Sequence, residues 1–276
     1  MKLNILKAVA AVWLLLVLSG SPGSRAQSKR DEAWDILKSN VNEKSAEKSA
    51  VAIRVLELLP GDPQALELAQ KAATDDRPDV RVAAAIALGQ LHGKSTVAIL
   101  HKLLYDPEPS VVIAAASALM PSKDPEAFEV YYEILTGERK TNRGMVAEQM
   151  KTLKDPKKLA MLGVENGIGF IPFAGIGFTA FQTLHVDDVS PIRAAAAKML
   201  TNDPDPESGH ALVDGTTDKN WLVKTASLEA IARRGDPQLL NGILPAMMDE
   251  NTSVRCTAAA AVIRLSTLAD RINKKP

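Results

Sequence analysis

The sequence predicts an all-α protein, an α-solenoid of about seven helical hairpins that repeat every 31 residues. A first pattern, Asp-x4-[Val/Ile]-[Arg/Lys], recurs at Asp75 with Val80-Arg81, Asp187 with Ile192-Arg193, Asp218 with Val223-Lys224 and Asp249 with Val254-Arg255. Asp106 with Val111-Val112 is a looser copy. An Asp-Pro pair recurs independently at Asp62, Asp124, Asp155, Asp205 and Asp236, at intervals of 62, 31, 50 and 31 residues. Both ladders break once, by 50 residues in place of 31, which puts a 19-residue insertion between Pro156 and Asp187. A fixed period of roughly 20 to 50 residues marks a solenoid in which each unit stacks on its neighbours.

The chain opens with the pattern of an export signal over residues 1–26. Lys2 and Lys7 give a basic start, Ala8 to Leu18 is an uncharged apolar run, and Ser24-Arg25-Ala26 sets small residues three and one positions before a cut at Gln27. The run is shorter than the ~18 apolar residues of a membrane span. The mature chain is therefore expected to be exported from a bacterial cell, as a periplasmic or secreted protein. Loss of Lys2, Lys7 and Arg25 leaves 30 basic against 33 acidic residues, without the basic patch of a nucleic-acid binder. Residues 27–44 follow as an N-terminal cap, with a helix over Asp31–Asn42 carrying Trp34, Ile36 and Leu37, while Gln27–Arg30 and Asn273–Pro276 read as frayed ends.

Residues 45–163 carry the first block of repeats. Val80, Ala84, Ala87, Leu88 and Leu91 fall at i, i+4, i+7, i+8 and i+11, one apolar stripe along a helix. A second helix carries Val97, Leu100, Leu103 and Leu104, and the next unit repeats the scheme with Val111, Ala115, Ala118 and Leu119, then Phe128, Tyr131, Tyr132 and Leu135. Alanines at 83–85, 114–116, 194–197 and 258–261 keep the first helix of each unit slim. Pro125, Pro156, Pro206 and Pro237 suit a first helical turn, and the Asp before each is a natural N-cap. The units are anchored near Ser49, Val80, Val111, Asn142, Ile192, Val223 and Val254. The first is degenerate and the last lacks a full second helix after Leu265, as expected where terminal repeats turn a polar face outward.

Residues 164–186 form a Gly/Phe-rich insertion between the two blocks, and 187–276 hold the remaining repeats and a C-terminal cap. From Gly167 to Leu184 there is no charge, and Phe170, Phe173, Phe178 and Phe181 are four of the five phenylalanines in the chain. Three readings fit: a plug filling the gap left by the irregular repeat, an apolar protrusion that docks on a partner, or a segment dipping into a membrane surface. No cluster of Lys and Arg flanks it to hold anionic lipid, which disfavours the last. The four phenylalanines are the candidate partner-binding residues.

No catalytic, cofactor or metal site is expected. His185-Val-Asp187-Asp188 brings a His and two carboxylates together, but Asp187 is already a position of the repeat. His92, His101 and His210 have no His partner at i+4. Gly175-Ile-Gly177-Phe-Thr-Ala180 matches part of a dinucleotide fingerprint without the strand that such a motif needs. Cys256, the single cysteine, stands where the other units carry Val82, Ile113, Ala194 and Thr225, so it reads as a packed thiol.

The run from Asp75 to Gly89, Asp-x4-Val-Arg-x2-Ala-Ala-x-Ala-Leu-Gly, resembles the HEAT repeat, in the short form also found in phycobilisome-lyase-type HEAT-like proteins, and the resemblance covers roughly Ser45 to Ala269. It implies a right-handed solenoid with a ladder of hydrogen bonds between units, made by Asp75, Asp106, Asp187, Asp218 and Asp249 with Arg81, Arg193, Lys224 and Arg255. Val112 replaces the basic residue and Gly137 the acidic one, so a gap is expected around the third and fourth units. The expected function is that of a non-enzymatic scaffold or adaptor binding a protein partner in the cell envelope. The alternatives are a chromophore-lyase-like enzyme and a membrane-associated assembly factor touching lipid through the insertion.

Overall fold

The structure, a computed structural model, describes residues 22–91, 93, 95–136 and 189–273. The signal-like run before Pro22, the unit near Asn142 and the whole insertion with Phe170, Phe173, Phe178 and Phe181 lie outside the described residues. Within them the chain is all-α: α1 (Pro22–Val41), α2 (Ala46–Arg54), α3 (Pro63–Ala72), α4 (Pro78–Leu91), α5 (Thr96–Leu103), α6 (Pro109–Leu119), α7 (Pro125–Thr136), α8 (Ser190–Met199), α9 (Pro206–Gly215), α10 (Trp221–Arg234), α11 (Leu240–Ile243) and α12 (Thr252–Asn273). Short 3-10 turns follow several of them, including Val55–Leu58 after α2.

The helices begin where the local chemistry directs. Asp62 accepts hydrogen bonds from the N–H groups of Gln64 and Ala65 (2.9 and 3.0 Å), and Asp124 from those of Glu126 and Ala127 (3.0 and 3.3 Å). Asp205 and Asp236 accept from Glu207 and Gln238 in the same way. Each cap satisfies N–H groups that lack a partner within the helix, and the proline that follows has none to satisfy. Gly235 ends α10 with φ of +70°, a left-handed conformation that suits glycine.

First helices stack on first helices: α2 on α4, α4 on α6, α8 on α10 and α10 on α12. The stripe Val80, Ala84, Ala87, Leu88 and Leu91 is buried throughout. Small residues set the spacing, since a Cβ at Gly89 of α4 would come within 2.9 Å of the Cβ of Ala118 in α6.

The order of the stack is not the order of the chain. The last helix, α12, packs against the first, α1, and also meets α2 and the 3-10 turn behind it. The described first helices therefore run α8, α10, α12, α2, α4, α6, with the two ends of the described chain meeting in the middle. Ala33, Trp34 and Leu37 are buried on α1, and on α12 Val254, Cys256, every residue from Ala258 to Ile263, and Leu265 are buried. Arg30 of α1 donates to Asp270 of α12 at 2.7 Å, and Arg233 of α10 to Glu57 behind α2 at 2.8 Å. The sequence led us to expect frayed residues up to Arg30 and polar outer faces at both ends. Arg30 instead lies inside α1 and is held by its ion pair, because the missing second helix of the last unit is matched by a helix from the other end of the chain.

Candidate interaction surface

Between units, a basic side chain reaches forward to the aspartate of the next. The Arg81 guanidinium grips Asp106 with two bonds of 2.8 Å, Lys224 donates to Asp249 at 2.7 Å, and Arg193 pairs with Asp218. The same aspartates fold their own turns: Asp106, Asp218 and Asp249 accept the N–H of the residue two positions on, at 2.8–2.9 Å. Each therefore ties a local turn to a neighbouring unit, and the charge-assisted bonds are of the strong kind. Arg255 donates instead to the carbonyls of Asp249 and Glu250 within its own turn. Asp75 takes bonds from Arg77 Nε and Nη2, and the same guanidinium reaches back to Ser49 Oγ through Nη2 at 3.2 Å and to the Glu43 carbonyl through Nη1 at 2.9 Å. Arg77 thus supplies from the near side the rung that the degenerate first unit does not send. Asp187 and Gly137 lie outside the described residues.

This ladder sets the electrostatics. The Arg77 bond holds the Asp75 carboxyl below its ordinary value against the effect of partial burial. At Asp249 burial pushes the value up, but Lys224 and the Asn251 N–H outweigh it and leave it lowered. Asp124 behaves likewise, with burial outweighed by His101, whose Nε2 lies 2.8 Å away, and by the N–H groups of Ala127 and Glu126. His210 is exposed near Glu207, and His92 and His185 are outside the described residues. Cys256 is fully buried and its thiol is pushed up to about 11, chiefly by burial. A thiol that holds its proton so firmly is a poor nucleophile. Among the described residues no group of three or more His, Cys, Asp and Glu is arranged to hold a metal, and no helix is long and apolar enough to cross a membrane.

Among the exposed described residues stands an apolar strip. On α7, Ala127 and Val130 are buried, with Tyr131 and Ile134 packed beside them, whereas Phe128 and Tyr132 are each 49% exposed and Leu135 is 85% exposed. Tyr105, also half exposed, joins this strip at the foot of α7, its hydroxyl 3.3 Å from Glu126. The sequence reading took Phe128, Tyr131, Tyr132 and Leu135 as the inward stripe, and Val97 as part of that of α5; of the four on α7, Tyr131 alone packs against the core. The structure turns α7 by about one residue, and Val97 is 46% exposed. The competing set Ala127, Val130, Tyr131 and Ile134 has the same i, i+3, i+4, i+7 spacing, and its small Ala127 lets α7 approach α6 closely. An apolar residue on both faces of one helix was the signal in the sequence that one face is left over. At the other end of the stack Val189, Ile192, Met199 and Trp221 are also exposed. The four phenylalanines of the insertion fall outside the described residues, so the exposed aromatic strip stands beside them as a second candidate.

No curated protein matches the chain. The family model for HEAT repeats matches residues 35–120 and 179–267, well over half of the sequence. Those two spans coincide with the two stacked blocks, and the 31-residue ladder of aspartate and basic residue runs through both, so the chain belongs to the HEAT repeat family.

Proposed function

We propose that this protein is a non-enzymatic scaffold or adaptor that holds a protein partner in the cell envelope of a bacterium. The observation that carries the reading is the strip made by Tyr105, in the turn after α5, and Phe128, Tyr132 and Leu135 of α7. Large aromatic side chains set side by side and half exposed on a rigid helix are the usual energetic centre of a protein interface. HEAT stacks commonly serve as interaction scaffolds, which agrees with this. The envelope part rests on the export-signal pattern of residues 1–26; a cut after Ala26 trims the first turn of α1 and leaves Arg30, Ala33, Trp34 and Leu37 in the chain.

The test is co-purification from envelope extract of the source cell, with three proteins: the unaltered chain, a Phe128→Glu/Tyr132→Glu double variant, and a chain lacking 167–181. A partner held by the first and lost from the second supports the strip. Loss from the third alone assigns binding to the insertion. Equal capture by all three rejects both surfaces.

A further inference from the structure

The seam where α12 meets the first unit encloses a half-open cavity of about 130 Å³ lined by Leu59, Pro60, Asp62, Ile263, Arg264, Thr267, Leu268 and Arg271. One wall comes from the loop between the 3-10 turn after α2 and α3, the other from α12. Its lining is mainly apolar, and a cavity near 150 Å³ accepts a molecule the size of benzene, so the room is that of one branched or ring-bearing group.

Charge at this seam is unbalanced. Two of the acids nearby are paired, Asp270 with Arg30 at 2.7 Å and Glu57 with Arg233 at 2.8 Å, and the one carboxylate in the lining, Asp62, caps α3 through Oδ1, so two guanidinium groups face one carboxylate. Arg264 and Arg271 line the cavity and make no ion pair among the described residues. The bond found for Arg264 is from Nε to the Ala232 carbonyl, at 2.8 Å. Burial, with Arg233 and Arg271 close by, makes its charge harder to hold. Arg264, Thr267 and Arg271 stand at i, i+3 and i+7, along one face of α12. Thr267 lines the cavity between the two arginines, its hydroxyl donating to the Ile263 carbonyl.

We propose that this seam cavity binds a carboxylate borne on a small apolar group, with Arg264 and Arg271 holding the carboxylate and Leu59, Pro60, Ile263 and Leu268 enclosing the apolar part. Two sources share that chemistry: the C-terminal residue of a polypeptide ending in an apolar side chain, and a free short-chain acid. Guanidinium is well suited to a carboxylate because its N–H groups match the two oxygens. A ligand touching both walls also fastens the seam, so binding and stability are linked.

Calorimetric titration of the protein with acetyl-Ala-Ala-Leu as the free acid, the same peptide as its C-terminal amide, 4-methylpentanoate, and inorganic phosphate tests this. The peptide acid or 4-methylpentanoate binds and raises the melting temperature, and whichever binds more tightly identifies the source. The amide is expected to bind about tenfold more weakly or not at all. Arg271→Gln, at the exposed rim, weakens binding about tenfold while circular dichroism stays unchanged; Arg264→Gln does the same and also loses the bond to Ala232. Equal binding of acid and amide, binding of phosphate as tight as that of the acids, or no binding of either acid overturns the proposal.

Discussion

Arg30 and Asp270, 240 positions apart in sequence, are joined by a 2.7 Å ion pair across the packed faces of α1 and α12. The pair is partly exposed on both sides, at 22% and 35%, so solvent screens much of its attraction. The apolar surface beneath it is the larger contribution. A double-mutant cycle on Arg30→Ala and Asp270→Ala is expected to give a coupling of about 0.5 kcal/mol. Leu37→Ala, at a fully buried position of α1, should cost about 2–5 kcal/mol in urea unfolding. Hydrogen exchange supplies the sharper readout: the Leu37 variant should lose protection in α12 as well as in α1.

The rung from Arg81 to Asp106 is the most enclosed of the ladder, with side chains only 12% and 7% exposed. Asp106→Ala leaves a largely enclosed guanidinium with only its bonds to the Asp75 and Asp76 carbonyls and is expected to cost about 3 kcal/mol. Lys224→Ala, at a more accessible rung, should cost less than half of that. Equal costs at the two positions would show that the rungs are interchangeable.

Acid sensitivity follows from the same bonds. Asp75, Asp124 and Asp249 are all held below the ordinary 3.8. A folded carboxyl with a lowered pKa binds its proton less readily than the unfolded one, so its stabilisation is complete above the unfolded value and is lost as pH falls through the folded one. Urea midpoints should stay level from about pH 7 to about pH 5 and then fall steeply. Lys224→Met should lower the plateau and shrink the acid limb, because Asp249 then keeps only the Asn251 N–H and the more distant Arg255 to favour its charge.

Glu57 has the opposite sign. Burial raises its pKa above 4.5 by more than Arg233 and Arg54 lower it. Its contribution is therefore favourable below the unfolded value and is lost as pH rises through the folded one, so the charged form carries a net cost near neutrality. Glu57→Gln is expected to be neutral or stabilising by up to about 1 kcal/mol at about pH 7. The difference should vanish near about pH 4. A clear loss of stability at neutral pH would make the Arg233 pair a true fastener of the seam.

Because Ser28 and Asn273 belong to helices that pack together, the chain can be reconnected there. A permutant running from residue 189 to 273, through a short glycine–serine linker, to residues 28–136 should give a helical protein with one cooperative transition. A chain that expresses but shows no cooperative unfolding would mean that residues 137–188 are required by the stack.

The repeat itself was legible because helix periodicity, proline placement and the aspartate caps all follow from local chemistry, and each pointed to the same 31-residue unit. The closing of the two ends was harder to see, since no motif encodes it. Its trace lay in α12, where Val254, Cys256, Ala258 to Ile263 and Leu265 put apolar groups on nearly every side. A helix apolar all round is an interior helix. The stripe of α7 was misassigned for a related reason: two registers of apolar residues compete, and which one turns inward depends on the close approach of Ala127, a tertiary matter. The three rungs at Arg81, Arg193 and Lys224 follow the repeat, whereas the substitution of Arg77 for an absent rung at Asp75 depends on where Ser49 and Glu43 come to lie.

A linear array of repeats tolerates trimming, because its outermost unit supports nothing beyond itself. Here the first and last helices occupy the centre, so erosion of either tail by a protease or a premature stop codon acts on the keystone of the arch. Quality control of this protein therefore comes late: until α12 has been made, the groove that should hold α1 has only one side.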